Sequence, residues 1–537
     1  MESLQYSSKG LDHLGLVSGM CNELGVIECI DSIVPKDNKN VKISNGELVL
    51  AMILNGLGFV GRTLHMFPQY FNSKPVDRLI GSHINPEFIN DDALGRCLDS
   101  LYAADVSKIY QTLSTKVVKH LGLSCNSLNL DSTSFHVDGV YADDGDTTSH
   151  IKLTKGYSRD HRPDLNQVIL NLITENQAGI PVYMQASSGN TNDVQGFKNI
   201  VKSHIKSLKD AHNNKYLVAD SSLYCTDTIQ MLAEQKQLFI TRVPQKLKEA
   251  KQLIKSASNQ VFTKLDDGYH GCIIDSNYAD VPQKWLLVKS DAASKRELQI
   301  FKKKLHKETT KELKEYNKLC TQLFNCHDDA LIAFDKWQKK QSFIKVDNVQ
   351  ISSHAQFKKT GRPKKDDTGT AVYRISGSAY SCLDKVKDAK EAKGMFIIAT
   401  SDCSNKLTMQ DMLTQYKSQQ NVEKGFRFLK SPDFLTSSLY LKSPARIEAL
   451  LMIMTACLMI YAALEHKIRK ELKAQDAYFP SMKNKPCQKP TARWVFQCFI
   501  GIHELNIDNN NKKVLNLKDL HMVIINTLGP PYHEIYS

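Results

Sequence analysis

The sequence has no CxxC pair. Its 13 cysteines are an odd number, and the two nearest each other are Cys320 and Cys326. Spacing of that kind argues against a zinc ribbon or finger and against a secreted disulfide framework. Reduced thiols in a cytosol are the simple reading. The opening stretch MESLQYSSKGLDHLG lacks the charged-then-apolar pattern of a signal peptide. Long apolar runs are also scarce. The longest is ALLMIMTACLMIYAAL, residues 449–464, short of the roughly 18 to 20 residues that span a bilayer. Arg446, Glu448, Glu465 and Lys467 bound it closely, so it reads as a buried core helix, with no membrane partner.

Charge is present in excess of one sign. The 537 residues carry 70 basic and 57 acidic side chains, a net charge of +13. A basic surplus suits a polyanion, and nucleic acid is the commonest; a merely basic soluble enzyme is the alternative. The composition, 42% hydrophobic and 24% charged, is that of a soluble chain able to bury ordinary cores. The length suggests two to four domains. The expected location is the cytoplasm, in association with the nucleoid.

The periodicity divides the chain. Residues 1–124 read as helical, with apolar residues at three- and four-residue steps in Leu11 to Ile30 and Leu48 to Phe59. They suggest a DNA-binding or dimerisation domain. From Ser127 the pattern changes to strands: SLNLDSTSFHV alternates, with Asn129, Asp131 and Thr133 opposite Leu128 and Leu130. Strands at Gln167 to Thr174, Pro181 to Ala186, Tyr216 to Asp220 and Leu238 to Val243 alternate with helices at Asp193 to Leu208 and Thr226 to Gln235. This succession is α/β, with carboxylates at strand ends, and gives a first catalytic segment over 125–244. Residues 245–400 read as an insertion of strands around a charged helical hairpin. Residues 401–475 return to helix, including one expected from Met409 to Lys430, and 476–537 read as a tail.

Three carboxylates stand out. Asp131 faces away from its apolar neighbours, and Asp220 ends an apolar strand; an Asp at such a place is costly unless it is paired or binds metal. Caps and salt bridges are the alternative role for each. Glu423 lies in YKSQQNVEKGFRFLK, where Tyr416, Glu423 and Lys430 are seven residues apart. On a continuous helix each such step returns within about 20° of one face. Gln419 and Arg427 lie one turn to either side. A metal and a phosphate backbone are both served by such a face, although a solvated charged stripe is the ordinary use of one.

Four segments, LNLDSTSF (128–135), GYSRDHRPDLNQ (156–167), YLVADSSLY (216–224) and YKSQQNVEKGFRFLKS (416–431), resemble the DDE transposases of bacterial insertion sequences. The resemblance is to the branch with a large insert between the second Asp and the Glu. Its Tyr-x2-Arg-x3-Glu-x6-Lys signature is matched by Tyr416, Glu423 and Lys430, but the Arg position holds Gln419, an amide in place of a guanidinium fork. KWLLVKS (284–290), FNCHDDAL (324–331) and GRPKK (361–365) extend the similarity through the insert. The resemblance implies a ribonuclease-H-like catalytic core in which Asp131, Asp220 and Glu423 hold two Mg²⁺ ions, with Mn²⁺ able to substitute. It also implies recognition of terminal inverted repeats, a homodimer that synapses two ends, and cut-and-paste chemistry.

Tyr416, Gln419, Arg427 and Lys430 are the implied DNA contacts of that signature. Arg159, His161 and Arg162 are candidate phosphate contacts, though His161 as a loop cap and an Asp160–Arg162 pair are the structural alternatives. Gly361-Arg362-Pro363 reads better as a plain basic loop than as a groove hook. Trp285 and Trp337 are candidates for stacking on a flipped base, with core packing the better account of Trp285. A non-catalytic DNA-binding derivative and a nuclease without strand transfer are the rival readings.

Overall fold

The computed structural model describes residues 6–36, 41–59, 62–137, 151–356, 370–431, 441–507 and 511–537. After a strand, β1 (Tyr6–Gly10), come α1 (Leu14–Glu23), α2 (Val26–Ile33), α3 (Asn45–Leu57), α4 (Phe67–Asn72), α5 (Val76–Leu79), α6 (Asp91–Ala103) and α7 (Val106–Leu121). Their starts are written in the sequence. Ser44 accepts from the Glu47 N–H while Glu47 takes the Ser44 N–H, a capping box that opens α3. Asn90 caps α6, Asp105 caps α7, and α7 ends at Gly122 in the left-handed region at φ 65°.

The chain then forms β2 (Ser127–Val137), β3 (Asn166–Glu175) and β4 (Pro181–Ser188), then α8 (Asp193–Ser203), α9 (Ile205–His212), β5 (Tyr216–Ala219), α10 (Thr226–Glu234), β6 (Leu238–Arg242) and α11 (Lys248–Lys255). The single helix expected over Asp193 to Leu208 is two, broken at His204, whose ring lies 5.0 Å from that of Tyr183. Strand β2 pairs antiparallel with β3 and parallel with β5, and β5 runs parallel to β6.

Part of the stretch read as an insertion returns to this sheet. Strands β7 (Thr263–Lys264), β8 (Tyr269–Tyr278) and β9 (Val281–Ser290) lead to α12 (Asp291–Thr321), α13 (His327–Lys340), β10 (Ile344–Gln356), β11 (Thr370–Ser381), α14 (Leu383–Glu391) and β12 (Met395–Thr400). One nine-stranded mixed sheet results, in the order β4-β3-β2-β5-β6-β12-β9-β8-β7. Among the described strands of this stretch, the ribbon β10-β11 stands apart. It packs with α12 and α13 around Tyr316, Phe334, Trp337 and Ile375. Trp337 is therefore a core residue of this lobe, and Trp285 is buried in β9 with its indole N–H donating to Tyr224 Oη at 3.1 Å. Residues 361–365 lie outside the described residues.

The helix expected from Met409 to Lys430 is also two, α15 (Met409–Lys417) and α16 (Gln420–Leu429). Between them the hydrogen bonds tighten to three-residue steps. Gln419 N–H donates to Tyr416 O, Asn421 N–H to Ser418 O and Val422 N–H to Gln419 O. Three-residue turns advance about 120° per residue rather than 100°, so the step from Tyr416 to Glu423 crosses a junction between two helices, while Glu423 and Lys430 are seven apart along α16 and its cap.

The apolar run forms the middle of α17 (Pro444–Ala474), which packs against α1, α3, α6 and α7. By length and composition it is able to cross a membrane, but 89% of its most apolar window is buried inside the protein. Each fully buried side chain such as Met459 or Ile460 contributes about 1.5–3 kcal/mol. Residues 476–537 are not a trailing tail. They form β13 (Phe479–Pro480), β14 (Pro486–Cys487), α18 (Ala492–Cys498), β15 (His503–Ile507), β16 (Asn511–Leu515), α19 (Asp519–Leu528) and α20 (Pro530–Tyr536). Strand β15 pairs antiparallel with β1, and α20 lays Tyr532 and Tyr536 against Gly19 and Gly15 of α1.

Candidate active site

Parallel pairing sets the level of the site. Leu130 of β2 pairs with Ala219 of β5, and Ala219 pairs with Thr241 of β6. The next residue on each strand is Asp131, Asp220 and Arg242. Residues in register on neighbouring strands share a face. Two carboxylates and a guanidinium therefore leave three adjacent strands side by side. Ligands of α/β sheets bind at such carboxyl ends of parallel strands. Asp220 is held by the Ser222 N–H at 2.9 Å, and its carbonyl accepts from Thr241 Oγ1 at 2.6 Å.

Asp131 is fixed by the Ser132 N–H at 2.8 Å and by Arg159 Nη1 at 3.9 Å. Arg159 also donates to the Ser132 carbonyl, to Ser132 Oγ at 3.0 Å and to Asp193 at 2.7 Å. Ser132 Oγ in turn donates to Asp193 at 2.5 Å. Burial pushes the Asp131 carboxyl up to about 7, and the nearby charges of Asp220 and Asp193 add to this against the pull of the Ser132 N–H and Arg159.

Helices α15 and α16 bring the third carboxylate. Ser127 Oγ donates to Gln415 Oε1 at 2.5 Å, and Ser418 Oγ to Asn129 Oδ1 at 2.9 Å. Ser127, Asn129 and Asp131 alternate along one face of β2, so the junction of the two helices is tied to the strand that carries Asp131. Tyr416 is the crossing point. Burial raises its phenol, the hydrogen-bonded Arg242 opposes this, and the charges of Asp220 and Glu423 add to the rise. Glu423 itself is exposed in the first turn of α16.

The other expected residues divide. Lys430 pairs with Asp160 at 2.8 Å and lies over the Phe135 ring, which joins the GYSRDHRPDLNQ loop to the end of α16. Asp160 thus pairs with Lys430, while Arg162 pairs with Asp164 at 2.9 Å. His161 is exposed, with its backbone in the left-handed region at φ 58°. Arg427 is exposed one turn beyond Glu423, whereas Gln419 is buried between α15 and α16. Sequence reasoning missed Arg242, Ser132 and Asp193. Arg242 had a readable signal: it ends the apolar strand LFITR as Asp220 follows YLVA.

Among the described residues no three His, Cys, Asp or Glu side chains stand close enough together to hold a metal ion. The donor chemistry nevertheless fits a hard divalent cation at the Asp131–Asp220 pair, because burial and like charge leave Asp131 short of positive counter-charge. Glu423, on α16, acts together with Asp220 on the Tyr416 phenol.

A protein-family profile described as a transposase DDE domain matches residues 128–460, and one described as a domain of unknown function (DUF4277) matches residues 6–115. The first spans more than half of the chain and includes all three carboxylates. The chain belongs to the DDE transposase family. No curated protein matches it significantly. Among solved structures, the cryo-EM structure of the piggyBac transposase synaptic complex with hairpin DNA aligns over 92% of this chain and 82% of that one, at 11% identity and a TM-score of 0.40. That likeness is too loose to bear on individual residues.

Proposed function

We propose that the chain is the transposase of a bacterial insertion sequence. It binds the element's terminal inverted repeats in the cytoplasm, as a homodimer in the synapse, and cuts and joins DNA by a cut-and-paste route on a ribonuclease-H-like core. The observation that carries this reading is the common level of Asp131, Asp220 and Arg242 on three parallel strands, in a chain of this family. Mg²⁺ ions, or Mn²⁺ in their place, held by Asp131, Asp220 and Glu423 would activate the attacking oxygen and stabilise the leaving one.

The chain's own residues do the rest. Arg159, Ser132 and Asp193 fix the orientation of Asp131. Tyr416 and Arg242 present a hydroxyl and a cation beside Asp220, where a phosphodiester needs positioning and charge neutralisation. Lys430, Arg427, Arg162 and His161 lie along the approach and grip flanking phosphates. For the nick, water displaces the 3′-oxygen from phosphorus, leaving a 3′-hydroxyl and a 5′-phosphate. For joining, that hydroxyl displaces a bridging oxygen of the recipient strand.

A non-catalytic DNA-binding derivative is the second reading, favoured by Gln419 at the signature's Arg position. One assay separates the two. Purified protein is incubated with Mg²⁺ or Mn²⁺ and a labelled fragment carrying the element's end. Asp131→Asn, Asp220→Asn and Glu423→Gln should each abolish cleavage and keep end binding. Cleavage retained by any of the three in Mg²⁺ sinks the assignment; binding by wild type without cutting supports the second reading.

A further inference from the structure

The exposed face of α12 has a charge pattern that folding does not require. Phe301, Glu312 and Tyr316 are its buried residues, and they mark the side packed on the ribbon. At 100° per residue, Lys303, Lys304, Lys307, Lys311, Lys314 and Lys318 spread over the opposite side, all of them exposed. Arg296 extends this face toward the N-terminus. The helix's glutamates all lie on the flank nearer the ribbon, where two of them serve the fold. Glu312 accepts from the backbone N–H groups of Ser342, Phe343 and Ile344, and Glu297 from that of Gly394. Among the described residues the one ion pair made by these cations is Lys311–Glu315, at 4.0 Å.

A solvated helix face ordinarily mixes signs at three- and four-residue spacings, because like charges there repel and weaken the helix. Here lysine follows lysine at 303–307, 307–311 and 314–318. The face from Arg296 to Lys318 is about 33 Å long at 1.5 Å per residue, close to one turn of duplex DNA, about 34–36 Å. The helix also starts beside the site. Its first residue, Asp291, is 3.7 Å from His270, in the strand that follows Asp267, and Asp267 pairs with Lys417 next to Tyr416.

We propose that the exposed face of α12 is a duplex-DNA docking surface that holds the phosphate backbone, independent of sequence, on DNA running away from the carboxylates. The inference rests on the transposase reading and adds to it a binding surface outside the catalytic strands. An acidic polypeptide is the rival occupant, since Ile300, 68% exposed, interrupts the charge.

The test uses the full chain with Lys303, Lys307, Lys311 and Lys314 all changed to Gln, and a second variant with the same four changed to Arg. Binding to a 60-base-pair duplex of arbitrary sequence is followed by fluorescence anisotropy across a salt series, with circular dichroism to establish that both variants fold. Each lost phosphate contact lowers the slope of log affinity against log salt by about 0.9. The Gln variant should therefore lose up to about 3.6 units of slope and at least ten-fold in affinity near 0.15 M salt, and the Arg variant should keep both. A slope change below about 1 in the Gln variant overturns the proposal while leaving the transposase reading intact, provided wild type binds. Absence of any DNA binding by wild type overturns both. A loss seen on polyglutamate or duplex RNA but not on DNA also overturns it.

Discussion

Ser418 Oγ donates to Asn129 Oδ1 at 2.9 Å across 289 residues of sequence, and shares its proton with Gln415 O at 2.6 Å. Asn129 stands two residues before Asp131 on the same face of β2. Through this contact the helix junction that carries Tyr416 is pinned to the strand of the first carboxylate. The Asn129 amide nitrogen is buried and makes no hydrogen bond among the described residues.

Ser418→Ala should therefore cost more than an exposed serine would. It leaves both polar atoms of a buried Asn129 side chain unsatisfied, a penalty of about 1–3 kcal/mol. The cleavage rate should fall as well, because the junction loses one of its two ties to β2, keeping Ser127–Gln415, while the three carboxylates remain. Urea unfolding and cleavage of an end fragment measure the two effects. Unchanged stability together with unchanged cleavage would show that this contact does not position the site.

Gly425 governs the other side of α16. A Cβ there would come within 2.9 Å of Leu458 Cδ2 on α17. Leu458 is itself buried, so its branch has little room to yield. Gly425→Ala should lift α16 from α17 at a cost of about 1–3 kcal/mol, and Glu423, half a turn earlier, should move with it. Cleavage is expected to fall by more than the loss of folded protein explains. An activity loss that only tracks the unfolded fraction would remove Gly425 from the site's architecture.

The sequence made the two aspartates legible as strand residues, because alternation and the apolar run YLVA each expose one carboxylate against an apolar background. Pairing register was not legible. The common level of Asp131, Asp220 and Arg242 depends on which residues of three separated strands hydrogen-bond, and nothing local encodes that. Glu423 was legible by motif, but the helix drawn through it was too regular. Ser418 turns its hydroxyl onto β2 and the ladder tightens there, a tertiary contact that periodicity does not show. The C-terminal residues read as a tail because β15, β16, α19 and α20 are short. Their order comes from pairing with β1 and packing on α1, at the far end of the chain.

Trp285 separates a stacking role from a packing role. Its indole is 3% exposed, donates to Tyr224 Oη, and sits among Tyr224, Leu287 and Ile397. Trp285→Phe should lower stability by about 1–3 kcal/mol, through the lost hydrogen bond and the volume removed. Cleavage by the protein that stays folded should be unchanged, as should the fluorescence of 2-aminopurine placed at the DNA end. A change in that fluorescence with no change in stability would return Trp285 to the DNA.

Glu448 gives the chain a pH-dependent weakness away from the carboxylates. It lies in the first turns of α17, 8% exposed, and its Oε2 has no hydrogen-bond partner. Asp105 at the start of α7 and the Tyr183 hydroxyl and His204 ring from the adjoining strand and helix face the same space. Burial first, and the Asp105 charge second, push the Glu448 carboxyl up to about 7. A carboxyl raised in the folded state contributes stability that is fully present below its ordinary value near 4.5 and is lost as pH rises through about 7. Glu448→Gln keeps the shape and removes the titration. The variant should match wild type near pH 5 and exceed it near pH 8, by on the order of 3 kcal/mol for a shift of this size. The proton affinity of His204 is lowered by burial in both proteins, so its titration largely cancels from the difference. Urea melts of the two proteins at pH 5, 6.5 and 8 measure that difference. A gap that stays constant across the three would mean that Glu448 ionises in the folded chain as freely as in the unfolded one.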